Sequence, residues 1–137
     1  MEENPVGHNI LLIDDDPFFQ RVTKEFLEQS GFKVTVAASW MDFTKAYYSA
    51  AAPPDLILFD INLGGSISGD KLLAAFKKGR GTIASAKKTK LVLISARPES
   101  ELAAKAREAG ADGYIVKEAL YVASGERLLA KLKAFLG

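Results

Sequence analysis

The chain has 137 residues, a formal net charge of +1 and no cysteine, which fits one hydrophobic core and excludes disulfides, thiolate catalysis and thiolate metal sites. Apolar residues make up 48% and charged residues 26%, so the composition is neither that of a disordered segment nor that of a chain drawn by net charge to nucleic acid or a membrane. One histidine, His8, removes a His-rich metal site and a Ser-His-Asp triad; no apolar run nears the ~20 residues of a membrane helix.

In chain order, Ile10-Leu11-Leu12-Ile13 is the first of five short apolar runs and leads into Asp14-Asp15-Asp16. Asp16-Pro17 reads as the N-cap and first residue of a helix with an apolar stripe of Phe18, Val22 and Phe26, widened by Phe19 and Leu27. Gly31 follows its end. Val34-Thr35-Val36 is a second strand, running into Ala37, and Trp40, Phe43, Tyr47 and Ala50 repeat as a second helical stripe, stopped by Pro53-Pro54. Leu56-Ile57-Leu58-Phe59 leads into Asp60, and Leu72, Leu73 and Phe76 mark a third helix. Glycines break the pattern between Gly79 and Lys90. Leu91-Val92-Leu93-Ile94 leads into Ser95; Leu102, Ala106 and Ala109 form a small-residue stripe closed by Gly110. Tyr114-Ile115-Val116 leads into Lys117, and Leu128, Leu129, Leu132, Phe135 and Leu136 make a fifth helical stripe.

Three of the five runs lack polar alternation, as strands covered on both faces should. Five alternations of strand and helix predict an α/β fold, a doubly wound parallel sheet with right-handed crossovers, in one domain with its core at about 9–136. Ligands bind such sheets outside the carboxyl ends of the strands. Four of the five strands deliver Asp14-Asp15-Asp16, Asp60, Ser95 and Lys117 to that edge. Clustered carboxylates repel one another unless a cation sits among them, and an oxygen-only ligand set suits Mg²⁺. With a lysine and a hydroxyl for phosphoryl oxygens and no general base, the set points to phosphoryl transfer onto a carboxylate.

Four motifs, Ile13-Asp14-Asp15-Asp16, Asp55 through Leu63, Ile94-Ser95-Ala96 and Gly110 through Lys117, together resemble the response-regulator receiver domain of two-component signalling. The resemblance implies a flavodoxin-like (βα)5 sheet in the order 2-1-3-4-5, with Asp60 as phospho-acceptor. It implies Mg²⁺ bound by Asp15, Asp60 and the backbone carbonyl of Asn62, with Asp14 helping through water. It gives Ser95 a hydrogen bond to the phosphoryl group, Lys117 a pairing with a phosphoryl oxygen, and Tyr114 an inward switch. The implied donor is a histidine kinase or histidine phosphotransfer protein. Output would run through the face of helix 4, strand 5 and helix 5, to a downstream protein or in a homodimer. No nucleic acid or membrane is expected to bind this domain. The sequence departs from the family pattern in the loop Leu63 through Gly69, in an apparent insertion over Gly79–Lys90, and at Lys117-Glu118, where many members have proline. A cis bond before a non-proline residue costs about 2.5–4 kcal/mol, so a trans bond is expected there.

Simpler roles compete. Asp16 is accounted for by its cap, Ser95 alone would be a helix cap, Lys117 alone a surface lysine, and Tyr114 a half-buried strand residue. The basic set Lys77, Lys78, Arg80, Lys87, Lys88 and Lys90 reads as a solvated face, because no aromatic platform is interleaved. Besides the switch, two readings stand: a pseudo-receiver acting as a phosphorylation-independent interaction module, and a small phosphatase or nucleotide-binding enzyme. The last lacks a phosphate-binding glycine loop, so no turnover beyond the domain's own phosphorylation and dephosphorylation is expected. The N-terminal residues Met1-Glu2-Glu3-Asn4 lack the features of a signal peptide, so a cytoplasmic location is expected. Nothing in the segment Phe135-Leu136-Gly137 is expected to act as an output domain, so either a stand-alone receiver or one cut from a longer protein is expected.

Overall fold

A computed structural model describes residues 8–63, 67–79, 89–117 and 126–136. The middle of the loop after Asp60, most of the Gly79–Lys90 stretch and the Lys117-Glu118 bond lie outside them. The elements run β1 (Asn9–Ile13), α1 (Pro17–Gln29), β2 (Lys33–Ala37), α2 (Trp40–Ser49), β3 (Leu56–Asp60), α3 (Gly69–Gly79), β4 (Lys90–Ser95), α4 (Glu99–Ala109), β5 (Gly113–Val116) and α5 (Glu126–Leu136). All strand pairs are parallel, and the sheet order is β2-β1-β3-β4-β5, the expected flavodoxin-like topology. No described helix is long and apolar enough to cross a membrane.

Strand side chains alternate between faces, so the sheet sorts the core by parity. Leu11, Ile13, Ile57, Phe59, Leu91 and Leu93 pack with Phe43, Tyr47, Leu72, Leu73 and Leu102 of α2, α3 and α4. Ile10, Leu12, Leu56, Leu58, Val92 and Ile94 pack with Phe19, Leu27, Leu128 and Leu132 of α1 and α5. On the first face the rings of Phe43, Tyr47, Phe59 and Phe76 meet at centroid separations of 5.0–6.4 Å. That spacing suits edge-to-face and tilted aromatic contacts.

The helix ends follow their sequence signals. Asp16 caps α1, its side chain accepting hydrogen bonds from the amides of Phe18 and Phe19, with Pro17 in the first turn. Gly31 takes φ 102° and Gly110 φ 78°, conformations that favour glycine. The Lys77 ammonium donates to the Gly110 carbonyl at 2.7 Å, closing the C-terminus of α4 with a cation.

Two expected stripes are corrected. Helix α1 buries Phe19, Thr23 and Leu27, not a stripe centred on Phe18, which is 57% exposed. Neighbouring side chains on a helix diverge by about 100°, so only one of the Phe18-Phe19 pair can face the sheet. Helix α2 ends at Ser49, before Ala50 and the prolines, and Trp40 is 48% exposed beside the buried Phe43. Ala50 is in extended geometry and exposed.

Gly69 opens α3 directly against β3. A Cβ there would overlap the carbonyl of Asp60, and no shift of a flexible side chain could relieve a clash with backbone. Gly69→Ala is therefore expected to cost about 3 kcal/mol in urea unfolding. Gly79→Ala, whose Cβ would meet nothing within 4 Å, should leave stability unchanged or raise it by up to about 1 kcal/mol.

Candidate functional site

Strands β1 and β3 are neighbours, with Ile13 paired to Phe59. The next residue of each is an aspartate, so the register alone sets Asp14 beside Asp60. This is also where the strand order reverses, opening a crevice at the carboxyl edge. Asp14 and Asp60 continue the parity of Leu12 and Leu58, the α1 and α5 face, and Lys117 continues that of Ile115. Ser95 and Tyr114 have the opposite parity: the strand pairing sets Leu93 beside Tyr114 and Ser95 beside Val116. The sheet thus collects the ionic groups on one side and the hydroxyl with its aromatic neighbour on the other.

Asp14 is fully buried and Asp60 2% exposed. Lys117 Nζ hydrogen-bonds Asp60 Oδ2 at 3.0 Å and lies 3.1 Å from Asp14 Oδ2. Asp60 Oδ1 accepts from the Asn62 amide at 3.2 Å, and Asp14 Oδ1 from the Asp16 amide at 2.8 Å. The Gln20 side-chain amide donates to the Asp14 carbonyl. Asp15 is exposed at the rim. Asp14, Asp15 and Asp60 each bring a carboxylate oxygen within 4.8 Å of the others.

Burial without a full set of partners raises the Asp14 carboxyl from 3.8 to about 6; the neighbouring Asp60 charge adds to the rise, and the Asp16 amide and Lys117 oppose it. Burial opposes the charge on Lys117, but the hydrogen bonds and charges of Asp60 and Asp14 outweigh it and hold its pKa above the ordinary value. Two carboxylates against one ammonium leave a deficit of positive charge. Asp14 Oδ2 is buried, and the partner described for it is the Lys117 ammonium that it shares with Asp60, which leaves one of its lone pairs without a described donor. An all-oxygen set with a spare buried lone pair fits a hard divalent cation such as Mg²⁺.

Ser95, fully buried, accepts from the Arg97 amide at 3.1 Å, the local turn that a serine at a strand end makes. Arg97 pairs with Glu101 and reaches Asn62 Oδ1 at 3.5 Å, across the mouth of the site. The Tyr114 hydroxyl donates to Glu99 Oε2 at 2.9 Å; that hydrogen bond pushes its pKa up. Two contributors stood outside the expected set. Gly69 lets α3 begin against the backbone carbonyl of Asp60, and the Phe19 ring centroid lies 4.1 Å from Lys117 Nζ. His8 is away from the site; its carbonyl accepts from Lys33 as the chain enters β1.

The raised Asp14 pKa has a stability consequence. Between about pH 4 and 6 the folded protein holds a proton that the unfolded chain has released, so stability from this group falls as pH rises through that window. With metal chelated, Asp14→Asn should therefore melt above the wild type at about pH 7.5 and close to it near pH 4. Thermal scans in a chelating buffer at both pH values read this.

The model of the family "Response regulator receiver domain" matches residues 10–132. The chain is 31% identical over 132 residues to the phosphate regulon transcriptional regulatory protein PhoB of Escherichia coli, covering 96% of this chain and 52% of PhoB. It is 31% identical over 108 residues to the transcriptional regulatory protein KdpE of Mycobacterium tuberculosis, covering 79% of this chain and 43% of KdpE. The chain thus spans about half the length of these curated relatives. Among solved structures it is similar to a CheY-like receiver domain protein of Methanospirillum hungatei, at 30% identity and a TM-score of 0.72, covering 94% of this chain and 93% of that one. The order of the sheet, the acids gathered at its switch point and these likenesses converge: the chain belongs to the response regulator receiver domain family of two-component signalling.

Proposed function

We propose that Asp60 is the phospho-acceptor of this receiver domain and that phosphorylation switches a protein-binding face. The observation that carries this reading is the buried Asp60 carboxylate, held 3.0 Å from Lys117 within a three-carboxylate cluster. A phosphohistidine of a histidine kinase or phosphotransfer protein supplies the phosphoryl group. An Asp60 oxygen bonds to phosphorus, the phosphorus–nitrogen bond breaks, and the electron pair leaves with the imidazole. Mg²⁺, held by Asp14, Asp15, Asp60 and the Asn62 carbonyl, would neutralise charge on the transferring group.

The remaining work falls to this chain's side chains. The Asn62 amide orients one Asp60 oxygen and leaves the other facing Lys117. Lys117 then follows the new negative charge, exchanging its contact with Asp60 for a phosphoryl oxygen. Ser95 exchanges the Arg97 amide for the phosphoryl group. Ser95 and Tyr114 share a face of the sheet, so movement of the serine opens room on the side where Tyr114 leaves Glu99. The face of α4, β5 and α5 thereby shifts between two populations. Its partner is a downstream protein or a second copy of the chain, with nucleic acid and membrane playing no part in this domain. The domain works in the cytoplasm, where its donor's phosphohistidine is made, and turns over nothing but its own acyl phosphate. The spare lone pair of Asp14 and the retained Lys117 support this reading over a phosphorylation-independent module.

Incubation with Mg²⁺ and acetyl phosphate, followed by rapid intact-mass measurement, should show one phosphoryl adduct. The adduct should be absent in Asp60→Asn and in chelator. A wild-type protein that takes no phosphoryl group, or an adduct that survives in Asp60→Asn, would overturn the assignment.

A further inference from the structure

We propose that the Phe19 ring is a positioning element for Lys117, holding its ammonium at the phosphoryl site through a cation–π contact. This inference rests on the reading of Asp60 as acceptor. The ring centroid lies 4.1 Å from Lys117 Nζ, well inside the ~6 Å at which a ring face attracts a cation. Phe19 is fully buried, and the Lys117 side chain is 17% exposed, so water screens the contact weakly. The ring is fixed from below. The Asp16 cap accepts from the Phe18 and Phe19 amides, and Pro17 pre-sets the first turn of α1. The third aspartate of the run thus has a part in the site without meeting its ligand: it sets the helix end that carries the ring.

The chemistry of the cycle makes the ring matter. Lys117 has three described neighbours here: two carboxylates, at 3.0 and 3.1 Å, and the ring. Phosphorylation converts the Asp60 carboxylate to an acyl phosphate, and cation binding would divert Asp14. Both ionic contacts therefore change during the cycle, whereas the ring face does not. An aliphatic side chain of similar volume would pack against the lysine stem but offer its charge nothing. A purely apolar core role for Phe19 predicts indifference to the electron density of the ring.

Fluorinated phenylalanines at position 19 separate the two roles, because they weaken the ring face while nearly keeping its shape. One, two and three fluorines should slow acetyl phosphate phosphorylation stepwise, by about three- to tenfold in all. The same series at Phe43, buried on the opposite face, should leave the rate unchanged. Independently, NMR should find the Lys117 ε-methylene protons shifted upfield by the ring current, and Phe19→Leu should return them to ordinary lysine positions. A rate indifferent to fluorine count at position 19, an equal response at Phe43, or unshifted ε-methylene protons would overturn the proposal. If the wild type takes no phosphoryl group, the acceptor reading falls, and the ε-methylene shift alone decides whether the ring holds the ammonium.

Discussion

Two buried carboxylates share one ammonium at the carboxyl edge of this sheet, and much of the structure serves to make that arrangement tolerable. Asp14 and Asp60 are brought together by the β1–β3 register, not by flexible loops. Like charges so placed would part if their strands could. They cannot, because Ile10–Ile13 and Leu56–Phe59 are buried on both faces and shifting either strand by one residue would reverse the core side chains. The apolar interior therefore supplies the free energy that holds an unfavourable ionic cluster in place, and burial, with the Asp60 charge adding to it, raises the Asp14 pKa in the same sense. A site poised in this way gains from any added positive charge, and from any event that relocates the lysine.

The parity of the strands divides labour further. In the proposed switch the ionic groups on the α1 and α5 side would receive the phosphoryl group, while Ser95 and Tyr114 have the opposite parity, toward α4. On that reading a chemical event at one corner would reach the α4–β5 surface through one buried serine and one tyrosine held by Glu99. Neither requires rearrangement of the sheet, whose central strands are buried on both faces.

The fold was legible in the sequence because each signal was redundant. Unbroken apolar runs, an Asp-Pro cap and glycines at helix ends agreed with one another, and the acids, serine and lysine all fell after strands. What sequence could not show depended on packing between distant segments. Periodicity put Phe18 on the apolar stripe of α1 with Phe19 only widening it; the pitch of α1 against the sheet instead turns Phe19 inward. Trp40 matched a helical stripe but sits in the first turn of α2 and is half exposed. Gly69 was one of several glycines in a loop, and its need to lack a Cβ arises from the approach of α3 to Asp60. The tie between Tyr114 and Glu99, fifteen residues apart, has no periodic signature at all.

The central claim is that Asp60, Lys117 and Ser95 form one phosphoryl-binding unit with a metal at the acids. A crystal structure of the domain with Mg²⁺ and beryllofluoride, which mimics a phosphoryl group, tests it most directly. The account predicts beryllium bonded to an Asp60 oxygen, Lys117 and Ser95 on the fluorines, and the metal among Asp14, Asp15 and Asp60. Beryllofluoride absent from Asp60, or bound there with Lys117 still paired to the two aspartates, would contradict it.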